Sequence, residues 1–283
     1  MIPGQVLTWL QQQGHGEVVR QKPVAGGCIN NGARLEMASG ASFFLKTNTS
    51  APEDMFAREA EGLAALRQAN GPRVPKAYLW AEEFLLLEDL APAPRTADYW
   101  ETLGRHLAKL HSHTNPKFGF DHDNYLGSTS QPNGWREDGY AFFAEQRLSF
   151  QARLARDGGR LTRSEAAQLE RLAARLPDLV PRQPAALIHG DLWGGNAISD
   201  ERGQPALIDP AAHYGWAEAE LGMTALFGGF DPGFYSAYEE EYPLVKGWRK
   251  RLAIYNLYHL LNHLNLFGEG YHAQVMQVLR EFS

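Results

Sequence analysis

The segment His189-Gly190-Asp191-Leu192-Trp193-Gly194-Gly195-Asn196, followed by Asp209 at the end of an apolar stretch, constrains this chain more than any other feature. Short apolar runs at 186–188, 197–198 and 206–208 read as strands, with a turn over 199–204, so the segment is a small β island. The sequence around it has helical periodicity. Helices are expected at 99–113, 139–156, 163–176, 246–266 and 274–282. The first ninety residues differ: strands at 17–24, 34–37, 42–47 and 84–87 and a single helix at 52–69. Pro92 and Pro94 mark the change. The expected fold class is therefore α+β, with a small β-rich N-lobe (1–90), a larger helical C-lobe (91–283), and a cleft between them as the place for a ligand.

Composition narrows the partners. With 44% apolar and 21% charged residues, the 283-residue chain can bury a core. A net charge of −6 argues against a general nucleic-acid binder. No apolar run approaches the length of a membrane span, and residues 1–16 lack the basic start and apolar core of a secretory signal, so a cytoplasmic protein without a membrane partner is expected. The single cysteine, Cys28, excludes an internal disulfide framework and a multi-cysteine zinc site.

The spacing within the β island has a chemical meaning. Asp191 can accept a proton from an attacking hydroxyl, while the Asn196 amide oxygen and the Asp209 carboxylate are hard oxygen ligands suited to Mg²⁺ on a nucleotide phosphate. Taken singly, these are also ordinary loop residues. Together they follow the logic of a kinase catalytic loop and its metal-binding aspartate. Such a site needs a cation for the phosphates and an acid to hold it. Lys46 ends the mostly apolar run 43–46 within the strand 42–47, and Glu59 lies on the apolar stripe of the helix, where a carboxylate needs a partner. The other reading is a solvated strand end and a carboxylate at the edge of the stripe. Gly26 and Gly27 lie between the first two strands, where small residues let backbone N–H groups approach phosphates, although most Gly-Gly pairs are only turns. Glu88, Asp89 and Leu90 lead from the buried strand into the linker, where backbone groups could meet adenine.

The chain resembles the fructosamine kinase (ketosamine-3-kinase) family, within the protein-kinase-like and aminoglycoside-phosphotransferase-like folds. The matching stretches are 26–29, 44–48, 56–66, 103–111, 118–120, 124–127, 131–135, 189–196, 207–210, 226–230 and 258–268, nearly the whole chain. Trp193 within the loop, the Asp209-Pro210 pair and Phe227-Gly228-Gly229-Phe230 are specific to it. The resemblance implies a bilobal fold and ATP-dependent phosphorylation of the O3 hydroxyl of ketosamines, the rearranged products of a sugar and an amine. The phosphorylated adduct falls apart, so the role would be deglycation of proteins or amines. It also implies Asp191 as general base, Asn196 and Asp209 on Mg²⁺, Lys46 and Glu59 at the phosphates, residues 88–90 at the adenine, and Trp193 and His263 at the sugar. On the residues alone, Trp193 could be a core anchor and His263 a structural helix histidine.

Two departures stand out. Ala217 occupies the place of a basic residue, and Glu220 that of an aspartate that normally braces the catalytic loop. Gly139-Tyr140 stands where an acidic-tryptophan pair is common. Two other function classes remain: an aminoglycoside- or choline-type phosphotransferase, and a pseudokinase-like binding module, which would usually have lost Lys46, Asp191 or Asp209. The acceptor is expected to be a small-molecule ketosamine or a glycated lysine. The chain is expected to be a monomer, with Cys28 as a redox candidate that could link two copies by a disulfide or be a small buried hydrophobe.

Overall fold

The computed structural model of the protein describes residues 1–24 and 30–282. The N-terminal part is built on helix α1 (Gly4–Gln12), strands β1 (Val18–Val24), β2 (Asn31–Met37) and β3 (Ser42–Thr47), helix α2 (Met55–Leu66), and strands β4 (Ala77–Ala81) and β5 (Phe84–Glu88). The strands form one antiparallel sheet in the order β1-β2-β3-β5-β4. Strand β5 is apolar from Phe84 to Leu87 because both of its faces are covered there. Phe84 and Leu86 meet Val6 and Leu10 of α1, together with Leu35, Phe43 and Leu45. Leu85 and Leu87 pack with Phe56, Ala60 and Leu63 of α2. The α2 cluster continues into Leu103 and Leu107 of α3 (Tyr99–His111) and into Leu187, Leu192 and Leu207, so one apolar core joins the two parts of the molecule.

The C-terminal part is mainly helical. After α3 come β6 (Thr114–Asn115), the hairpin β7 (Asn124–Leu126) and β8 (Thr129–Gln131), and a long helical run. That run comprises α4 (Gly139–Phe142), a π-helical segment (Phe143–Ser149) and α5 (Phe150–Asp157). Then follow α6 (Arg163–Ala174), α7 (Leu176–Leu179), β9 (Ala185–Ile188), β10 (Ala197–Ser199), β11 (Pro205–Leu207) and β12 (His213–Gly215). Helices α8 (Ala217–Leu226), α9 (Pro232–Glu241), α10 (Trp248–Phe267) and α11 (His272–Phe282) close the chain. The 20-residue α10 is the axis of the main core: Ile254, Leu257, Leu261 and Leu264 are fully buried. No helix among the described residues is long and apolar enough to cross a membrane.

The α+β class and the bilobal arrangement match the sequence expectation, as do the strands at 42–47 and 84–87 and the helices at 99–113, 163–176, 246–266 and 274–282 to within a few residues. The expected helix at 52–69 is confined to Met55–Leu66, and the expected 139–156 helix contains a π-helical stretch. Helices α1, α8 and α9 and strands β4, β6, β7, β8 and β12 were not expected. Helix α8 is buried along most of its length, with Glu218 and Glu220 buried among its apolar residues, and so it lacks the one-sided pattern that reveals a surface helix. The short strands have only two to five residues and no room for alternation to show.

Candidate active site

Strand β9 lies between β12 and β6 and ends at Ile188, which delivers the following loop to the boundary between the two parts. The loop turns at Gly190, whose φ is +84° and whose missing side chain matters: a Cβ there would sit 2.2 Å from the Ala211 carbonyl oxygen. His189 fixes the loop from three sides. Its Nε2–H donates to Ile208 O (2.9 Å), its Nδ1 accepts from the Asp191 amide (3.3 Å), and its carbonyl accepts from the Ala211 amide (2.9 Å). Burial lowers the pKa of this imidazole, in keeping with the neutral tautomer that these bonds require.

Asp191 follows at the mouth of the loop. Asn196 Nδ2 donates to the Asp191 carbonyl (2.8 Å) and to its carboxylate Oδ2 (3.2 Å). With its nitrogen committed to Asp191, the Asn196 amide keeps its oxygen for another partner. Burial, the nearby Asp209 charge and Glu220 push the Asp191 carboxyl up to about 7, against the pull of Asn196. A carboxylate near neutrality is well matched to proton transfer at physiological pH.

The second acid is brought in by β11. Asp209 has φ +58°, rare for a residue with a side chain, and it precedes proline. This backbone turns its carboxylate onto the Lys46 ammonium, which is also 2.5 Å from Glu59 Oε1. Lys46 and Glu59 are both nearly buried, with side chains 7% and 10% exposed, whereas the Asp209 side chain is 39% exposed. Burial opposes the Lys46 charge, but Asp209 and Glu59 outweigh it and hold its pKa above the ordinary lysine value. The Lys46–Glu59 pair expected from the sequence is therefore present. The contact from Lys46 to Asp209 was not expected. It brings strand β3 of the N-terminal part onto the end of β11.

The linker residues are placed by their side chains. Glu88 pairs with Arg73 (2.8 Å) and accepts from the Lys76 amide (3.1 Å). Asp89 is held by Arg34 of β2 (2.8 Å), and Leu90 is buried. All three side chains are occupied within the fold, and the Glu88 amide donates to Lys76 O (2.8 Å), so a ligand contact from this segment falls to its remaining backbone groups. Gly26, Gly27 and Cys28, and with Cys28 the disulfide-linked homodimer, lie outside the described residues.

Trp193 is half-buried, with its ring lying over Gly195, where a Cβ would come within 2.3 Å of the indole. His263, on α10, sits among the rings of Phe227, Phe267 and Tyr271 at centroid distances of 4.8, 5.4 and 5.0 Å. Its Nδ1–H donates to the His259 carbonyl (2.8 Å). Trp193 and His263 are not in ring contact with each other, so the structure does not join them as it joins Asp191, Asn196, Asp209, Lys46 and Glu59.

Glu220 of α8 shows how the first departure is accommodated. Its two carboxylate oxygens accept the backbone amides of His189 (2.8 Å) and Gly190 (2.7 Å). His111 Nε2 lies 3.1 Å from the same carboxylate, and its Nδ1 bonds the Tyr238 hydroxyl at 2.6 Å. The longer side chain still braces the loop directly before Asp191. His111 and Tyr238 were not singled out from the sequence. His111 looks like one more position on an amphipathic helix, and nothing local marks its partner 109 residues away.

The donor set suits a magnesium ion carried on a nucleotide. Asp209 and Asn196 would offer one carboxylate and one amide oxygen, and Mg²⁺ usually takes one or two protein oxygens and fills its remaining positions from phosphates and water.

The fructosamine kinase family model matches residues 4–282. A probable ketoamine kinase of Enterococcus faecium is 40% identical over 95% of this chain and 96% of its own. The chloroplastic protein-ribulosamine 3-kinase of Arabidopsis thaliana is 37% identical over 98% of this chain and 87% of its own. The crystal structure of a candidate fructosamine-3-kinase from Thermobifida fusca superposes with a TM-score of 0.89 at 33% identity, covering 99% of this chain and 98% of that one.

Proposed function

The chain belongs to the fructosamine kinase family, and on that premise we propose that it transfers the terminal phosphoryl group of ATP to the O3 hydroxyl of a ketosamine sugar. The observation that carries this reading is that the Lys46–Glu59–Asp209 cluster and the Asp191–Asn196 pair, linked by the Ile208 N to Asn196 O bond, come together from elements of both parts of the chain. In this reading Asp191 takes the proton of the attacking hydroxyl, and its raised pKa supports its holding that proton at neutral pH. Lys46, oriented by Glu59, holds the phosphates, and the backbone of residues 88–90 receives the adenine. Asn196 and Asp209 hold Mg²⁺, which when bound neutralises charge on the transferring phosphate.

Residues 1–90 are the nucleotide-binding lobe and residues 91–283 carry the catalytic loop and the acceptor site. Trp193 offers an indole face beside Asp191, and His263, with its Nε2 free to accept, offers a polar contact among rings; both suit a sugar bearing an amine. The acceptor is a small-molecule ketosamine or a glycated lysine, and the consequence is deglycation in the cytoplasm. An assay with ATP and a panel of ribulosamine, fructosamine, aminoglycoside and choline acceptors tests this. Turnover confined to the ketosamines supports it, and turnover confined to aminoglycosides or choline contradicts it.

A further inference from the structure

Residues 209–212 lie between two hydrogen-bonded layers, and the layer away from the catalytic loop is made of residues given no role above. On the loop side, Ile208 N donates to Asn196 O (3.1 Å), and the Ala211 amide donates to His189 O (2.9 Å). On the other side, Gln131 Nε2 donates to Ala211 O (3.1 Å) and Asn124 Nδ2 to Ala212 O (2.8 Å). Helix α2 closes the sandwich: a Cβ on Gly62 would meet Pro210 at 3.3 Å and Ala212 at 3.4 Å.

We propose that Asn124, Gln131, Asn133, Arg147 and Tyr258 form a positioning network that fixes the backbone of 210–212 and thereby holds Asp209 in its left-handed conformation. The proposal rests on the reading of Asp209 as a metal-binding carboxylate. All five side chains are buried, at 4, 0, 0, 1 and 4% exposure. Their hydrogen bonds have one direction, set by Arg147. A guanidinium only donates. Arg147 Nη2 donates to Asn133 Oδ1 (2.7 Å), which turns the Asn133 amide nitrogen onto Asn124 Oδ1 (2.9 Å). That in turn leaves Asn124 Nδ2 for Ala212 O. A second branch starts at the Tyr258 hydroxyl, which donates to Gln131 Oε1 (2.7 Å) and so directs Gln131 Nε2 to Ala211 O and Asn124 Oδ1. Each amide has one orientation, so the carbonyls of 211 and 212 have one place.

This arrangement answers two questions. Arg147 forms no ion pair with a carboxylate among the described residues; its charge instead polarises the chain of amides and stacks against Phe142 and Tyr258 at 4.5 and 5.4 Å. Asp209 holds a conformation that a pre-proline residue disfavours, and such a conformation persists only where its surroundings over-determine it. Freed on its C-terminal side, the residue would relax toward extended backbone and carry its carboxylate away from Lys46 and Asn196.

The test uses Asn124→Leu and Tyr258→Phe in the full chain, with Asp209→Ala as reference. Two readouts do not require turnover: deuterium exchange of the 209–213 amides in the free protein, and the Mg²⁺ concentration at which a non-hydrolysable ATP analogue half-saturates its shift in Tm. For Asn124→Leu the network predicts faster exchange at 209–213 and a half-saturating Mg²⁺ concentration about tenfold higher, as for residues that orient metal ligands. Tyr258→Phe, which removes one hydroxyl, gives about threefold. The acceptor KM stays within about twofold in both, because neither is placed at the acceptor. Should Asn124→Leu fail to fold, Tyr258→Phe decides by the same readouts. Folded variants with unchanged exchange and unchanged Mg²⁺ dependence overturn the network while leaving the Asp209 reading intact. An Asp209→Ala protein with wild-type Mg²⁺ dependence overturns both.

Discussion

Glu220 accepts the amide of Gly190 at 2.7 Å, from a helix that begins 27 residues further along the chain. Its other oxygen holds the His189 amide, so a buried carboxylate sets the loop backbone immediately before Asp191. Burial alone would raise the Glu220 pKa, but His111 and His189 outweigh it and hold the carboxyl below its ordinary value. A carboxylate with a depressed folded-state pKa stabilises the fold above its unfolded pKa of about 4.3, and that stabilisation is lost as pH falls through the folded value. Glu220→Gln replaces one acceptor with a donor facing a backbone N–H. Its expected cost at pH 7 is about 1.5–3 kcal/mol. Thermal unfolding should show a Tm deficit against wild type at pH 7 that persists to about pH 4 and narrows as pH falls further, through the folded-state value. A gap that stays the same from pH 7 until wild type unfolds in acid would show that the charge is not what braces the loop.

Lys46→Met leaves Glu59 and Asp209 facing each other without the cation between them. The uncompensated buried Glu59 carboxylate costs on the order of 1–3 kcal/mol, while the Asp209 carboxylate, 39% exposed, is screened by water and costs less. The expected protein has a lower Tm and a higher KM for ATP, with the acceptor KM little changed. Initial-rate kinetics with each substrate varied in turn check this, and an unchanged ATP KM would make Lys46 no more than the end of a strand.

Two glycines in one loop should respond differently. Gly190 has positive φ, and its Cβ would strike the Ala211 carbonyl, whereas a Cβ on Gly194 meets nothing within 4 Å. Gly190→Ala is expected to lose at least about 1–2 kcal/mol from the backbone conformation alone, with the clash in addition. Gly194→Ala should unfold within about 0.5 kcal/mol of wild type. Denaturant melts of the two variants compare them directly.

Trp193 lies over Gly195 beside the proposed base. Trp193→Ala should raise the acceptor KM and leave the ATP KM alone. A fall in Tm with both KM values unchanged would make Trp193 a packing residue.

The site was legible in the sequence to the extent that its members sit close along the chain or at the ends of regular elements. Asp191 and Asn196 share one loop, Asp209 ends a strand, and Glu59 falls on an apolar stripe where an unpaired carboxylate stands out. Residues brought together by folding alone left no such signal. Asn124, Gln131, Arg147 and Tyr258 come from a hairpin, a π-helical segment and α10, and each alone is an ordinary polar residue. Likewise β12 was invisible because its three residues gain their meaning only by pairing with β9. The contact between Lys46 and Asp209 spans 163 residues, and the sequence offered the two residues without the distance between them.

Product analysis with wild type and Asp191→Asn tests the central claim most directly. A fructosamine or ribulosamine acceptor is incubated with ATP and Mg²⁺, and the product is read by two-dimensional ³¹P–¹H correlation. The account predicts a phosphate coupled to the sugar H3 with wild type. With Asp191→Asn it predicts a rate lower by about 10²–10⁴ at intact nucleotide binding, the usual cost of a lost general base. A phosphate at another position, or an Asp191→Asn rate within about threefold of wild type, would contradict it.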